Sequence, residues 1–490
     1  MAIASIIGTD NKVPGVYLKV SLGVGARSAG SAAMGLLLVG NKTAGGSAAV
    51  DTVKSLFSKD DARNEFGAGS ELFMMAQAAF KANPSVTLSG VAVTESVGSQ
   101  ATGTITFTAG PATADGTVEV WIGGRRVVAA VADTDTITTA AAAVAAAINA
   151  ETDFPVTAGA AVGVVTVTAK QAGTKSNAIT LRTLLTGATG IAHTALSTTL
   201  TGGTTLDDPQ SALDSVAATR YHLIAASDDD AVNLAKYKAH VDAGAEPLVG
   251  LRQRFVAGSV DTLGNTTTLS DALNAERGQI VWQAGSDDTP AEIAAASAAQ
   301  HIVQVQSDRA APVDGVVIPG LRPPNDSADK PLNTELASAL NNGITPLDYS
   351  GSEVFFVRAI TNYSTDSAGN PDAGVLDVSK VEVPDFIADQ LQANFLARFG
   401  GFKLDNDPDQ GDFVEPKVAT PSSVKDFIFE ILKNHGAGGS GVLLLSDVEA
   451  NKPLLATELD SAAVGRVNAV VPLDVVEGFH QGAFDIQQVG

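Results

Sequence analysis

The chain has 490 residues, too many for one core, so about two to four domains are expected. Its 31 basic and 54 acidic side chains leave a net charge of −23, which argues against direct nucleic-acid binding because phosphate contacts need cations. No cysteine is present, which rules out a disulfide framework and a thiolate zinc site.

Aromatic residues make up only 5% of the chain, and Ala, Gly and Thr take their place. The opening Met1-Ala2-Ile3-Ala4-Ser5-Ile6-Ile7-Gly8 is apolar but too short for an export signal and has no positive leader. No stretch reaches the roughly 18 uncharged apolar residues that cross a bilayer, so no membrane insertion is expected. Both chain ends read as extended strands with no partner beside them in sequence: Val13 to Val20, and Arg466 to Val476 interrupted by Pro472. Such strands either pair with another chain or close sheets in their own subunit.

Gly35-Leu36-Leu37-Leu38-Val39-Gly40 is a continuous apolar run, the pattern of a strand buried on both faces. A helix is expected from Asp60 and another over residues 70–80, capped by Ser70 and ended near Asn83-Pro84. Between Gln100 and Gly203 the texture changes to five basic and six acidic residues in a threonine-rich stretch. There 102–108 alternates as a strand, and 117–122 joins 126–129 through Gly123-Gly124, a tight hairpin signal. An alanine-rich helix over 134–150 precedes strands at 162–168 and 179–182. This region, 96–204, is expected to be a mostly-β domain inserted into another and removable without loss of the surrounding fold.

From Asp207 strands and helices alternate, with strands at 221–226 and 279–283 and helices from Asp229 and over 289–300, which predicts an α/β layer. After the break Pro319 to Asp326 come a strand over 353–360 and helices over 384–399 and 422–434. The fold class expected is α/β (α+β) and multidomain.

The chemical motifs are weak. Gly436-Ala437-Gly438-Gly439-Ser440-Gly441 has dinucleotide-loop spacing but follows a helix instead of a strand, so it reads as a turn. Residues 35–43 match a phosphate loop only superficially, since an apolar strand does not wrap phosphate. The acidic run Asp405 to Asp412 has its glycine one place late for a calcium loop and Pro416 at the twelfth position, so a solvated turn is expected. The six histidines, at 193, 222, 240, 301, 435 and 480, form no local metal pair, and no serine sits in a nucleophile elbow. Asp228-Asp229-Asp230 reads as helix capping. No cofactor, metal or catalytic residue is expected, and the chain is not read as an enzyme.

The ordered pieces Pro14-Gly15-Val16-Tyr17 with Ser28-Ala29-Gly30-Ser31, Phe66 to Leu72, Thr117 to Val131, Phe355 to Thr361 and Asn468 to Val476 resemble the Mu-like family of bacteriophage contractile tail sheath proteins. The resemblance covers nearly the whole chain. One departure lies at Gly173-Thr174-Lys175-Ser176-Asn177, which is expected to affect only a local turn. The family likeness implies a virion tail protein, assembled in the host cytoplasm, that stacks as hexameric discs around a tail tube protein and meets baseplate and tail terminator proteins. It implies arms at 1–22 and 466–490, a body at 23–95 and 205–465 whose part from about 345 faces the tube, and an insert facing outward. Inter-subunit arm contacts would be Val16, Tyr17, Leu18, Val20, Val467, Val470, Val471, Leu473 and Val475, with Gly23 and Gly25 as hinges. Tube-facing candidates are Lys425, Asp426, Glu430 and Lys433. A surface adhesin, or another virion protein with Ig-like β modules, is the alternative.

Overall fold

The computed structural model describes residues 34–194, 196–408, 416–436, 443–475 and 480. The N-terminal arm with Val16, Tyr17, Leu18, Val20, Gly23 and Gly25 lies outside them, as do most of the glycine run from 437 and the second half of the 405–412 loop.

The first unit comprises Gly35–Asn41 (β1), Val53–Leu56 (β2), Lys59–Phe66 (α1), Glu71–Ala82 (α2) and Thr87–Val93 (β3). β1 is apolar throughout because helices cover both of its faces. Its side chains alternate: Leu36 and Leu38 enter one core, Leu37 and Val39 another. The Ser70 side chain accepts from the Phe73 amide and so fixes the start of α2, while Asn83, before Pro84, ends it.

Next come Gln100–Ala109 (β4), Gly116–Ile122 (β5), Arg125–Val131 (β6), Ile137–Ala150 (α3), Val156–Ala161 (β7), Val164–Ala172 (β8), Thr180–Thr186 (β9), Ala192–His193 (β10) and Ser197–Thr199 (β11). They form two four-stranded sheets, β10-β4-β8-β7 and β11-β9-β5-β6, around a core shared with α3. Gly123 and Gly124, with φ of 51° and 65°, make the two-residue turn between β5 and β6 that the glycine pair predicts. The entering and leaving chains run side by side: Ser96 N donates to Asp207 Oδ1 at 2.7 Å, and a methyl at Gly98 would stand 1.7 Å from the Thr204 carbonyl oxygen.

The chain continues through Gln210–Ser215 (α4), Leu223–Ala226 (β12), Ala231–Ala245 (α5), Arg254–Ser259 (β13), Leu263–Leu273 (α6), Gly278–Trp282 (β14), Pro290–Ser307 (α7), Asn333–Asn341 (α8), Ile344–Ser350 (β15) and Glu353–Phe356 (β16). One eight-stranded sheet, β16-β15-β14-β13-β12-β1-β3-β2, joins these to the first unit. It is parallel from β3 to β15, with antiparallel edges at β2 and β16. α2 and α7 pack on one face, and α4, α5 and α6 contribute to the core on the other. A capping box between Thr289 and Glu292, with Pro290 in the first turn, starts α7. β13 approaches that turn so closely that a methyl at Gly258 would stand 2.0 Å from the Pro290 carbonyl oxygen.

The last unit is Ser379–Phe399 (α9), Lys403–Leu404 (β17), Val418–Ala419 (β18), Pro421–Asn434 (α10), Leu445–Asn451 (α11), Ala456–Leu459 (β19) and Val467–Val470 (β20). Its core joins Val383, Phe386 and Leu391 of α9 to Phe427, Ile428 and Leu432 of α10. β15 and β16 belong to the main sheet, and the last unit's core takes Ala310 along with residues of α9 and beyond.

Several sequence expectations need correction. α9 starts at Ser379, with Pro384 inside it, and its N-cap Val378 offers no capping side chain, so the proline was a false start signal. The strand expected over 353–360 stops at Phe356, and Arg358 instead grips Asp377 at 2.8 Å through both Nε and its terminal nitrogen. α7 runs on to Ser307. The C-terminal strand does have a partner nearby: β20 pairs antiparallel with β19, whose Ala-Thr-Glu-Leu sequence carries little strand signal.

Candidate functional site

β1 has β3 on one side and β12 on the other, which makes the strand ends beside β1 and β12 a topological switch point, the place where open α/β sheets bind ligands. Asn41 at the end of β1, Ser227 after β12 and the first turns of α2 and α7 surround a cavity of about 60 Å³ there. The β-rich region closes it. A 3-10 turn, Thr174–Ala178, carries Lys175 into the crevice, where the side chain is only 8% exposed.

Lys175 Nζ donates to Ser227 Oγ at 2.8 Å and to Glu71 Oε2 at 3.1 Å, and lies 3.2 Å from Asp207 Oδ2 and 3.6 Å from Asp228 Oδ1. Burial opposes its charge, but the Asp228, Glu71 and Asp207 carboxylates outweigh burial and raise it above the ordinary lysine range. The carboxylates are held in turn. Asn41 donates its amide N–H to Glu71 Oε2 and Nδ2 to Asp207 Oδ2, each at 2.8 Å, and the Tyr237 hydroxyl donates to Asp228 Oδ2 at 2.9 Å. Burial pushes Asp229 up to about 6, and the neighbouring Asp228 adds to the rise.

Further contacts bind the β-rich region to the sheet unit. Arg125 of the hairpin pairs with Glu292 of α7 at 2.5 Å, and Thr180 Oγ1 donates to Asp287 Oδ1 at 2.9 Å. Arg63 of α1 pairs with Asp153. The chain's own cations, Lys175 and Arg125, thus line this crevice, and among the described residues no group of three His, Asp or Glu side chains converges as a metal site.

The opposite end of the sheet carries arginines. Arg254 meets Glu382 at 2.8 Å, Arg277 grips Asp385 at 2.7 and 2.9 Å, and Arg220 and Arg252 share Asp389 at 2.8 and 3.0 Å. The acids recur along one face of α9, while Phe386 and Leu391 point its apolar side to α10. Burial pushes Glu382 up, but Arg254 and its neighbours overcome this and hold the carboxyl well below its usual range.

The residues singled out in sequence are dispersed. On α10, Asp426, Glu430 and Lys433 are exposed and Lys425 is half-buried, and Lys433 pairs with Glu449 at 2.9 Å. Val467 is half-buried and Val470 is 49% exposed on β20, Val471 and Leu473 pack half-buried on the C-terminal core, and Val475 is buried within it. The Asp228 to Asp230 run divides in role: Asp230 caps α5 by accepting from the Asn233 amide at 2.9 Å, whereas Asp228 belongs to the Lys175 cluster. The departure at 173–177 is thus more than a local turn, for it delivers Lys175. The sequence signal available there is a lysine in a charge-poor stretch.

No family model matches the chain. The tail sheath protein of the Mu-like prophage FluMu of Haemophilus influenzae is 26% identical over 461 residues, which cover 92% of each chain. The chain is similar to this tail sheath protein along nearly its whole length. Among solved structures, the sheath tail protein of Desulfitobacterium hafniense is 15% identical, with 91% of this chain and 93% of that one covered and a TM-score of 0.46. The sheath tail protein of Listeria innocua is 14% identical over 88% and 87% of the two chains, with a TM-score of 0.42. The contracted helical sheath of the anti-feeding prophage is 11% identical over 98% and 99%, also with a TM-score of 0.42.

Proposed function

We propose that the chain is a subunit of a contractile tail sheath, stacking as hexameric rings around a tail tube and contracting to drive that tube through the host envelope. The observation that carries this reading is the 26% identity to a tail sheath protein along 92% of both chains. The crevice that receives Lys175 supports a structural role, because a cation of the chain itself stands at the usual ligand position of such a sheet. Energy for contraction would reside in two alternative subunit packings, so no nucleotide is consumed.

In this reading residues 96–204 form an inserted domain facing outward, 23–95 and 205–465 form the body, and α10 faces the tube. The arms at 1–22 and 466–490 link neighbouring subunits, with Gly23 and Gly25 as hinges. The partners are other copies of the chain, the tube protein, and the baseplate and terminator at the tail's ends. The subunits would assemble in the host cytoplasm before residing in the virion tail.

Negative-stain microscopy of the purified chain tests this. Sleeves or striated tubes are expected, and a chain that stays monomeric both alone and with tail tubes would overturn the proposal.

A further inference from the structure

In the single chain two residues beyond β20, Val475 and His480, sit against the chain's own body. Val475 is 4% exposed in the C-terminal core, and five positions later His480 sits in a cleft lined by Ala310 to Asp314 on one wall and Asp377 to Ser379 on the other. His480 Nδ1 contacts Asp314 Oδ2, and Nε2 stands 3.6 Å from Asp377 Oδ1. Asp377 is 7% exposed and fixed by Arg358, so this wall of the cleft is a built feature of the body. The fit is incomplete, however: Asp314 Oδ1 and His480 Nε2 are buried without a hydrogen bond. A seat with unsatisfied polar atoms binds less tightly than a complete one and is suited to release.

We infer that this cleft is a docking site for the chain's own C-terminal tail, and that His480 latches the tail in cis until it is given up to a neighbouring subunit. The inference rests on the sheath reading for the second step alone, since docking is a property of the free chain. The latch delays polymerisation by competing for the segment that a neighbour would use, as in any exchange between intramolecular and intermolecular pairing. Asp314 supplies the acceptor, Asp377 the second carboxylate, and Arg358 keeps Asp377 in place.

The test uses full-length chain carrying His480→Ala or, separately, Asp314→Asn, whose side chain is 26% exposed and is not part of a core. Limited chymotrypsin digestion reads tail release at Phe484, and light scattering with negative stain reads tube-free polymerisation. Both variants should be cut about tenfold faster, the factor expected for one lost charge-assisted hydrogen bond, and should polymerise with a shorter lag. An unchanged digestion rate in both variants overturns docking, and faster digestion with an unchanged or longer lag overturns the latch. Faster digestion in variants that, like the parent, never form sleeves either alone or with tail tubes supports docking and removes the sheath reading instead.

Discussion

Lys175 and Glu71, 104 positions apart in sequence, meet at 3.1 Å where the β-rich region closes the end of the parallel sheet. Asp207 and Asp228 complete the ring, each only 1% exposed at the side chain. Removing one partner of a buried ion cluster leaves the other charges without solvent or counterion, which costs about 3–5 kcal/mol. Lys175→Met should therefore lower unfolding stability by that amount, read as a drop in denaturant midpoint at unchanged slope. A loss below about 1 kcal/mol would mean that the cluster is solvated and that the ammonium is dispensable.

The same ring alters what deletion of 96–204 should do. The insert has its own core, but its removal takes Lys175 away from Glu71, Asp207 and Asp228. A plain deletion should yield a destabilised body, and adding Asp207→Asn with Asp228→Asn should restore a cooperative thermal transition. Equal transitions in the two deletion chains would show that the carboxylates do not limit the body's stability.

Acid sensitivity has a specific source in His222. Burial, aided by Arg220, lowers its pKa from 6.5 to about 4, and its Nδ1 accepts the Gly35 amide at 3.2 Å, which requires an unprotonated nitrogen. The unfolded chain takes up a proton below about 6.5 and the folded chain only near 4, so this contribution to stability is lost as pH falls through that window. At about 1.4 kcal/mol per pH unit the loss is about 3 kcal/mol at pH 4. Asp229 acts oppositely: raised from 3.8 to about 6, it withdraws stability as pH rises through that range. Thermal midpoints from pH 4 to 7 should fall less steeply on acidification in His222→Gln than in the parent, and more steeply in Asp229→Asn. Parallel curves for His222→Gln and the parent would reject this role.

Much of the layer order was legible because it follows from local signals. β1 declared itself by an uninterrupted apolar run between glycines, α2 by Ser70 and Pro84, and the β5–β6 hairpin by its glycine pair. The polar seams were not legible, because a buried ion pair leaves no periodicity when its members come from distant segments. Arg254 and Glu382 are 128 positions apart, and nothing local distinguishes Arg254 from a surface arginine. β19 escaped notice for a different reason: it pairs through backbone atoms, and its side chains have weak strand preference.

The arginine seam predicts how firmly α9 is seated. Arg277 and Asp385 form a bidentate pair with both side chains nearly buried, so Asp385→Ala should cost about 3–5 kcal/mol by isolating the guanidinium. Hydrogen exchange should show the loss concentrated in the amides of α9 and of the last unit, since α9 links the sheet to that core. A uniform loss of protection across the main sheet would place the pair in the global core instead.

Lys425 and Lys433 of α10 offer the most direct test of the proposed tube-facing surface. Lys433 is exposed, and its pair with Glu449 at 2.9 Å involves side chains that are 44% and 48% exposed, so its loss should cost less than about 1 kcal/mol of subunit stability. Lys425 is half-buried at the rim of the same helix, whose core contacts come from Val424, Phe427, Ile428 and Leu432. Charge reversal of both lysines to glutamate should therefore leave the thermal midpoint nearly unchanged. If α10 faces the tube, the double variant should polymerise without tubes at the parental rate yet fail to assemble on purified tubes, with the defect of either single variant smaller and eased at low salt for neither. Equal loss of tube-free and tube-templated assembly would place these lysines between subunits and remove α10 from the tube surface.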